Sequence, residues 1–503
     1  MAESRRSSVA FRVLFGAALL LLAGLSVGYR YLPLVDWPEH CKMAAIRSHL
    51  HEPAFGFATY FEKTGWFLPY QTFRWTQILL GRLLGDRIGF AVALWPYLVG
   101  VPTLLLLLLR RLERDLWSVF IGCGILVESN LLWGFAPYLT GIVVLLLGLV
   151  CTLDFLRDGG RLRGSLLIGV GVLAFFTHPE SALLYFGSAG VFATAAVWQG
   201  ATTMRRAGWV MLAALPGGVM VVFYLVGAGW VSSTSATVEF YQAAPTVFRS
   251  PIEVLRNLPH DSGLNVLGPL PAMLFLVATA TAMALGQRQL VANPWRRAMS
   301  WVVAAWVLLL FAAPASVRGE PVGVRLSSGF LLLTTLVLPS AHDFRRWPAR
   351  GVWVVGGLTS ILWAHRAFAS YDRSLRPLDA IIKQIPVRAK VATMAYEVDP
   401  PGIAMPSYVH FGGYITTVRG GLPAFTFQVG IQLKQSVPRT CMLVADDWRP
   451  YYGWQIENEK AACWDYLVVL RGKAFPGSPF ADPTVRRRLL LEEGSFQLWD
   501  LHP

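Results

Sequence analysis

The chain has 503 residues, 54% of them hydrophobic and only 15% charged, with 44 Lys and Arg against 30 Asp and Glu for a net charge of +14. A soluble domain carries roughly 25% charged residues, so this composition excludes an ordinary cytosolic enzyme, and apolar runs from end to end exclude a disordered chain. A basic balance in so apolar a chain fits an integral membrane protein, with no nucleic-acid partner expected.

A bilayer crossing takes about 20 predominantly apolar residues. Residues 9–29 form the first such run, preceded by Arg5 and Arg6; without a clear small-residue cleavage site they read as a retained helix, not a signal peptide. Further runs lie at 88–109, 116–130, 137–156, 164–177, 181–199, 208–227, 264–285, 298–315, 324–341 and 351–368, about eleven in all. Arg110, Arg111 and Arg114 follow the second run, and Arg157, Arg161 and Arg163 follow the fourth. Arg205 and Arg206 follow the sixth, Arg288, Arg296 and Arg297 the eighth, and Arg345, Arg346 and Arg350 the tenth. That unbroken alternation places the N-terminus in the cytoplasm and, with an odd number of spans, the C-terminal segment outside. The expected location is a bacterial inner membrane with a periplasmic tail.

Two regions do not span. In the outer loop, about 30–87, Met43, Ile46 and Leu50 fall at helical spacing opposite His40, Arg47 and His51, which predicts a helix lying on the membrane surface. The tail, 369–503, alternates an amphipathic segment (378–385), β-like runs (391–396 and 466–470) and Gly/Pro turns, the pattern of a small α/β domain. The expected fold class is therefore an α-helical polytopic membrane protein, 1–368, with an extracytoplasmic α/β domain, 369–503. Cys123 and Cys151 lie within spans, Cys41 lies in the outer loop, and Cys441 and Cys463 share the tail, where an oxidising compartment leaves a disulfide open to them.

Outside the arginine clusters, ionisable residues near span ends gather on the outer side. Asp36, Glu39 and His40 stand within LVDWPEHCK, and Glu128 and Asn130 precede LLWGFAPY. His178 and Glu180 occupy the tight THPES connection, Glu239, His260 and Asp261 a long outer loop, and Arg318, Glu320 and Arg325 the segment between spans nine and ten. Charges near membrane depth usually face a cavity or a partner, so several on one face describe a polar cavity opening outward. Each also has a structural reading. Asp36 with Pro38 and Glu39 matches a capping-box variant. His178-Pro179 is a helix stop, Arg318 and Arg325 are snorkelling candidates, and Trp133, Phe135 and Tyr138 match an aromatic belt. His410–Tyr414 (HFGGY) with Gly420-Gly421 resembles turns more than a phosphate cradle, no nucleotide motif is present, and no Cys/His spacing makes a zinc site.

A first span leading into a long outer loop with an acidic residue at its start (Asp36 in VDWPEH), some ten further spans and an outer C-terminal domain resemble the GT-C superfamily of polytopic glycosyltransferases. The VDWPEH, WGF (133–135) and THP (177–179) segments are also similar to a group of bacterial membrane proteins placed near that superfamily. Trp37 follows Asp36 where many members carry an acidic pair, which leaves Glu39 or Glu128 for the second acidic role and leaves a divalent cation open. The resemblance implies inverting transfer of a hexosyl or pentosyl group from a polyprenyl-phosphate carrier to a hydroxyl on a glycan, lipid or protein. Asp36 would be the base, with Glu39 and His40 supporting it or binding the acceptor, Arg318 and Arg325 on the phosphate, and Glu128, His178, Glu180, His260 and Glu320 lining the cavity. A secondary transporter would place its ionisable groups at the midplane between matching halves, which the sequence lacks. A non-catalytic membrane component of envelope polysaccharide assembly or export is the other reading.

Overall fold

The computed structural model describes residues 2–63, 65, 67–231, 246–261, 293–316, 321–338, 348–403, 405–423, 433–435, 455–457, 461–482 and 487–502. The N-terminal half runs α1 (Ala2–Val27), α2 (Trp37–Ser48), β1 (Phe61–Lys63), α3 (Gln71–Leu84), α4 (Asp86–Val92), α5 (Val101–Arg111), α6 (Val119–Ile125), α7 (Ser129–Trp133), α8 (Ala136–Asp158), α9 (Arg161–Thr177), α10 (Pro179–Trp198) and α11 (Met204–Val231). Helices α12 (Pro251–Asp261), α13 (Pro294–Ala312), α14 (Val322–Thr334) and α15 (Pro348–Leu375) complete the bundle. The tail holds α16 (Leu378–Gln384), β2 (Lys390–Ala395), α17 (Gly412–Arg419), β3 (Leu422–Pro423), β4 (Leu433–Gln435), β5 (Tyr466–Leu470), β6 (Arg488–Glu493) and β7 (Phe496–Asp500).

Seven described segments are long and apolar enough to cross a bilayer: Val9–Val27, Asp86–Arg111, Leu116–Trp133, Ala136–Asp158, Pro179–Trp198, Met204–Tyr224 and Pro294–Ala312. Four of the eleven expected spans fall outside that set. At about 1.5 Å per residue, α9 with its 17 residues and α14 with its 13 are short for a hydrocarbon core about 30 Å thick. Helix α15 has the length, at 28 residues, but carries His365 and Arg366 in its interior. The run at 264–285 lies outside the described residues.

Of the arginines expected as orientation signals, Arg157, Arg206 and Arg296 meet at one end of the bundle, where they also close helix C-termini, while Arg288, Arg345 and Arg346 lie outside the described residues. Arg157 donates to the Arg111 carbonyl (2.7 Å), Arg206 to those of Leu156 and Arg157 (2.9 and 2.5 Å), and Arg296 to those of Leu112 and Glu113 (2.8 and 2.5 Å). Cations beside the negative end of the helix dipole and its unpaired carbonyls are stabilising.

In the tail, five strands form one sheet in the order β3-β2-β5-β7-β6. Strand β2 runs parallel to β3 and β5, and β7 runs antiparallel to β5 and β6. Period-two alternation buries both faces. Val391, Ala395, Val468, Leu470 and Leu498 join the core that continues into the helices, while Ala392, Met394, Leu467 and Val469 join a second core with Met43, Ile46, Leu50, Phe57 and Phe61. Strand β1 of the first loop pairs with β4, Phe61 opposite Gln435, so loop and tail are stitched together.

This arrangement corrects the expected surface helix. Helix α2 does form where the periodicity places it, but Trp37 to Ile46 are all buried. Met43 and Ile46 pack under the sheet while Trp37, Ala44 and Ala45 face the helical core. A stripe that looks like a membrane-facing edge is a contact with a sheet some 350 residues further along the chain.

Candidate functional site

The site is assembled on a three-residue turn. Val35 and Asp36, which open α2, donate their backbone N–H groups to the carbonyls of Leu132 and Trp133 (2.8 and 2.9 Å). Gly134 closes α7 in the left-handed region at φ 79°, and a Cβ there would lie 2.9 Å from the Asp36 nitrogen and 3.1 Å from that of Trp37. Only glycine combines that backbone angle with so close an approach. His40 Nε2 donates to the Gly134 carbonyl (3.1 Å), and the Trp133 and Phe135 rings stack at 5.9 Å. The VDWPEH and WGF segments are thereby clamped together.

On the α2 side, the Asp36 carboxylate makes no bond to the helix N-terminus, unlike the capping box that its spacing resembles. It lies 3.7 Å from Nε2 of His410 and is one quarter exposed. His410 precedes α17, whose Gly413 would place a Cβ 2.4 Å from the Pro38 carbonyl oxygen; the glycine pair in HFGGY lets the tail settle directly on α2. Burial, reinforced by nearby Lys42, lowers the His410 pKa to about 3, so the ring beside Asp36 is neutral at physiological pH. Glu39 and Lys42 form a 2.6 Å ion pair with both side chains almost fully buried, and burial holds the Lys42 pKa below that of an ordinary lysine. Arg74 of α3 donates to the His40 carbonyl at 2.5 Å, and its second terminal nitrogen is 3.5 Å from His40 Nδ1. His40 must donate through Nε2 to a carbonyl and present Nδ1 to a guanidinium, which fixes its tautomer. Burial first, then Arg74, keeps that ring neutral.

On the other side of the turn, the Arg325 guanidinium lies 4.8 Å from the Phe135 centroid and 5.9 Å from that of Tyr138, with an ion pair to Glu180 at 3.0 Å. Arg325 is buried, and Tyr138 donates to its backbone carbonyl at 2.5 Å. This replaces the snorkelling and aromatic-belt readings of Arg325 and Tyr138 with inward-facing ones. His178 separates α9 from α10, so the His-Pro helix stop is real. Its ring sits between the edges of Tyr70 (5.0 Å) and Tyr138 (5.5 Å), kept neutral by burial and by Arg325.

Behind this group, Glu128 caps α7 by accepting from the Asn130 backbone N–H (2.8 Å) and side-chain amide (3.0 Å). It also accepts from Ser328 and, through its other oxygen, from Tyr97 (3.1 Å). A fully buried carboxylate satisfied in this way fastens α7 to α14 and is a structural cap, not a cavity-lining acid. Arg318, Glu320 and Glu239 lie outside the described residues, and so do the side chains of His260 and Asp261 at the end of α12. Among the described residues no group of three or more His, Cys, Asp or Glu could hold a metal ion. Asp36 and His410 supply only two such groups, and Glu39 is turned to Lys42, so the described residues do not make up a cation cage.

His410, Lys42, Arg74 and Tyr70 were not singled out as site residues by sequence reasoning. HFGGY was the one local signal: adjacent glycines without a helix-opening phosphate pattern mark a close backbone approach.

No family model and no curated protein matches the chain. Among solved structures it aligns over 98% of both chains with ArnT from Cupriavidus metallidurans in the apo state, at 13% identity and a TM-score of 0.58. Bound to undecaprenyl phosphate, the same protein aligns over the same shares at 12% identity and 0.57. The Archaeoglobus fulgidus oligosaccharyltransferase is more distant, with 11% identity and a TM-score of 0.40 over 91% of this chain and 67% of its own. The chain therefore has the fold of ArnT along almost its whole length.

Proposed function

We propose that the protein is a membrane glycosyltransferase that moves a sugar from a polyprenyl-phosphate carrier to an acceptor hydroxyl at the outer face of a bacterial inner membrane. The observation that carries this reading is the 133–135 turn, which bonds to the Asp36 backbone on one side and carries the Arg325 guanidinium over Phe135 on the other. A weak hydroxyl nucleophile needs a base within hydrogen-bond reach, and a phosphate leaving group needs fixed cations. Asp36, partly exposed at the head of α2, takes the acceptor proton as the acceptor oxygen bonds to the anomeric carbon. The bond from that carbon to the phosphate oxygen breaks, its electron pair stays on the lipid phosphate, and one displacement inverts the centre. Neutral His410 orients the Asp36 carboxylate without competing for the proton. Arg325, held by Glu180, takes the phosphate charge, with Arg318 as its expected companion.

Two observations support the sidedness. The arginine-rich connections collect at the end remote from Asp36, as the positive-inside rule requires of a cytoplasmic face. Cys463 is disulfide-bonded, the state expected in an oxidising periplasm. In this reading the chain divides into a helical membrane domain and a periplasmic α/β domain, with α15, which runs on to Leu375, leading from one to the other.

Proteoliposomes supplied with a panel of undecaprenyl-phosphate sugars and with an envelope extract as the source of acceptor hydroxyls should release undecaprenyl phosphate. Asp36→Asn at parental expression should slow release by about 10²–10⁴-fold, the usual contribution of general base catalysis. Undiminished release by that variant would refute the assignment of the base.

A further inference from the structure

Two carboxylates flank Arg114 in the chain, and both are turned to other cations. Glu113 holds Arg296 at 3.6 Å and accepts from the Asn293 amide at 3.3 Å, while Asp115 holds Arg350 at 3.2 Å. Asp154 of α8 is paired with Arg111 at 2.5 Å. Arg114 itself is only 5% exposed, and among the described residues none of its three guanidinium nitrogens has a hydrogen-bond partner. The charge that bears on it is another cation: burial, reinforced by Arg296 of α13, lowers the Arg114 pKa to about 10. That value leaves the group ionised at neutral pH. A guanidinium taken out of water without a counter-group is strongly unfavourable, because nothing replaces the hydration it has lost. A strained turn puts it there. Glu113 adopts φ 53°, in the left-handed region that a side chain rarely occupies, and the Arg114 N–H donates to the Leu109 carbonyl at 2.8 Å. The Glu113 side chain stays 70% exposed while Arg114 turns inward.

We propose that Arg114 and Arg296 form a receptor for a phosphate group at the arginine-rich end of the bundle, where the α5–α6 turn meets the start of α13. The donor set selects the ligand. Arg296 uses its Nε and one terminal nitrogen on the Leu112 and Glu113 carbonyls (2.8 and 2.5 Å), which leaves its other terminal nitrogen for the anion. The whole fork of Arg114 is unused. A phosphate has oxygens enough to take one fork bidentately and still accept from the second guanidinium. Depth selects it as well. Arg114 stands three residues past the candidate span Asp86–Arg111 and two before Leu116 opens the next, the level of lipid headgroups. A bound phosphate joins the turn to α13 and supplies the negative charge that the flanking acids give to other partners. None of these residues belongs to the Asp36 group, so the site does not rest on the proposed transfer.

Thermal unfolding of the full chain, stripped of lipid in an uncharged detergent, reads the site. Phosphatidylglycerol and inorganic phosphate are titrated separately, each against sodium chloride of equal ionic strength. The parent midpoint should rise; a response to the lipid alone identifies a headgroup as the source, and a response to both identifies the free anion as sufficient. Arg114→Met occupies similar space without the charge, so its lipid-free midpoint should equal or exceed the parent's, and neither phosphate source should raise it. Arg114→Lys keeps the charge but loses the fork, and should need about 10–100-fold more ligand, the worth of charge-assisted hydrogen bonds. Arg163→Met, at an arginine of the same end whose side chain is 43% exposed, should respond as the parent does. A parent that responds to neither source would overturn the proposal. So would a lipid-free Arg114→Met midpoint well below the parent's, an undiminished response in Arg114→Lys, or an equal loss of response in Arg163→Met.

Discussion

Gly134→Ala puts the clamp at the centre of the site under direct strain. Two costs add. A side chain held at φ 79° costs about 1–3 kcal/mol of backbone strain. The added methyl would sit 2.9, 3.1 and 3.3 Å from Asp36 N, Trp37 N and Asp36 Cα, all backbone atoms with no rotamer to yield, which adds an overpacking cost of about 1–3 kcal/mol. Relief by separation would stretch the Asp36 N–H bond to Trp133 and the His40 bond to Gly134, so the variant should lose stability by about 2–6 kcal/mol and lose site geometry together. Gly200→Ala is the control, because Gly200 has φ 66° but nothing within 4 Å of its Cβ position. Thermal unfolding of both in the same detergent isolates the steric part as the difference between them. Gly134→Asn tests it again, since Asn tolerates left-handed angles but keeps the offending Cβ. Equal loss in Gly134→Ala and Gly200→Ala, or a parental midpoint in Gly134→Asn, would refute the close-approach argument.

Lys42→Met should destabilise by about 3–5 kcal/mol by leaving buried Glu39 without its lysine, and adding Glu39→Gln should restore most of that in the same unfolding assay. Protonation should limit stability on both sides of neutrality. His40, His178 and His410 have folded pKa values below 6.5, so below that pH the unfolded chain binds more protons and stability falls, by up to about 1.4 kcal/mol per pH unit for each ring. His49 is shifted the other way, raised by its 2.8 Å bond to Asp86 and then by Glu52; its contribution is complete below 6.5 and is lost as pH rises through the raised value. Midpoints measured across pH 4–9 should show both limbs, with His49→Gln flattening the alkaline one only. Because Cys41, Cys123 and Cys151 are free thiols and Cys463 is disulfide-bonded, non-reducing peptide mapping should recover a Cys441–Cys463 peptide. Reduction should cost about 2–5 kcal/mol.

Several features were legible locally because their physics is local. Hydropathy summed over about 20 residues reports whether a segment prefers lipid, and the alternating arginine clusters report which helix ends share a face, as Arg157, Arg206 and Arg296 do in the bundle. Helix α2 begins at Trp37 with Pro38 in its first turn, and the β-like runs at 391–396 and 466–470 overlap β2 and β5, because a first-turn proline and period-two alternation act within a few residues. Partner identity is different. Asp36 meets His410, and Arg325 meets Glu180 and Phe135, across hundreds of residues, and no periodicity encodes which distant group arrives.

The direction of an amphipathic face was beyond the sequence for a related reason. The pattern says that one side of α2 and one side of α3 are apolar, but an apolar side turns toward whatever is apolar nearby. For α2 that was the underside of a sheet from the tail, and for α3 it is the outside of the bundle, where Trp75, Leu79 and Leu83 are exposed. The sequence by itself determined that this chain lives in a membrane and which helix ends lie together. Only the tertiary structure decided which loop helix is buried, which is exposed, and which side chains meet at Asp36, because those depend on surfaces that exist only once the distant segments have packed.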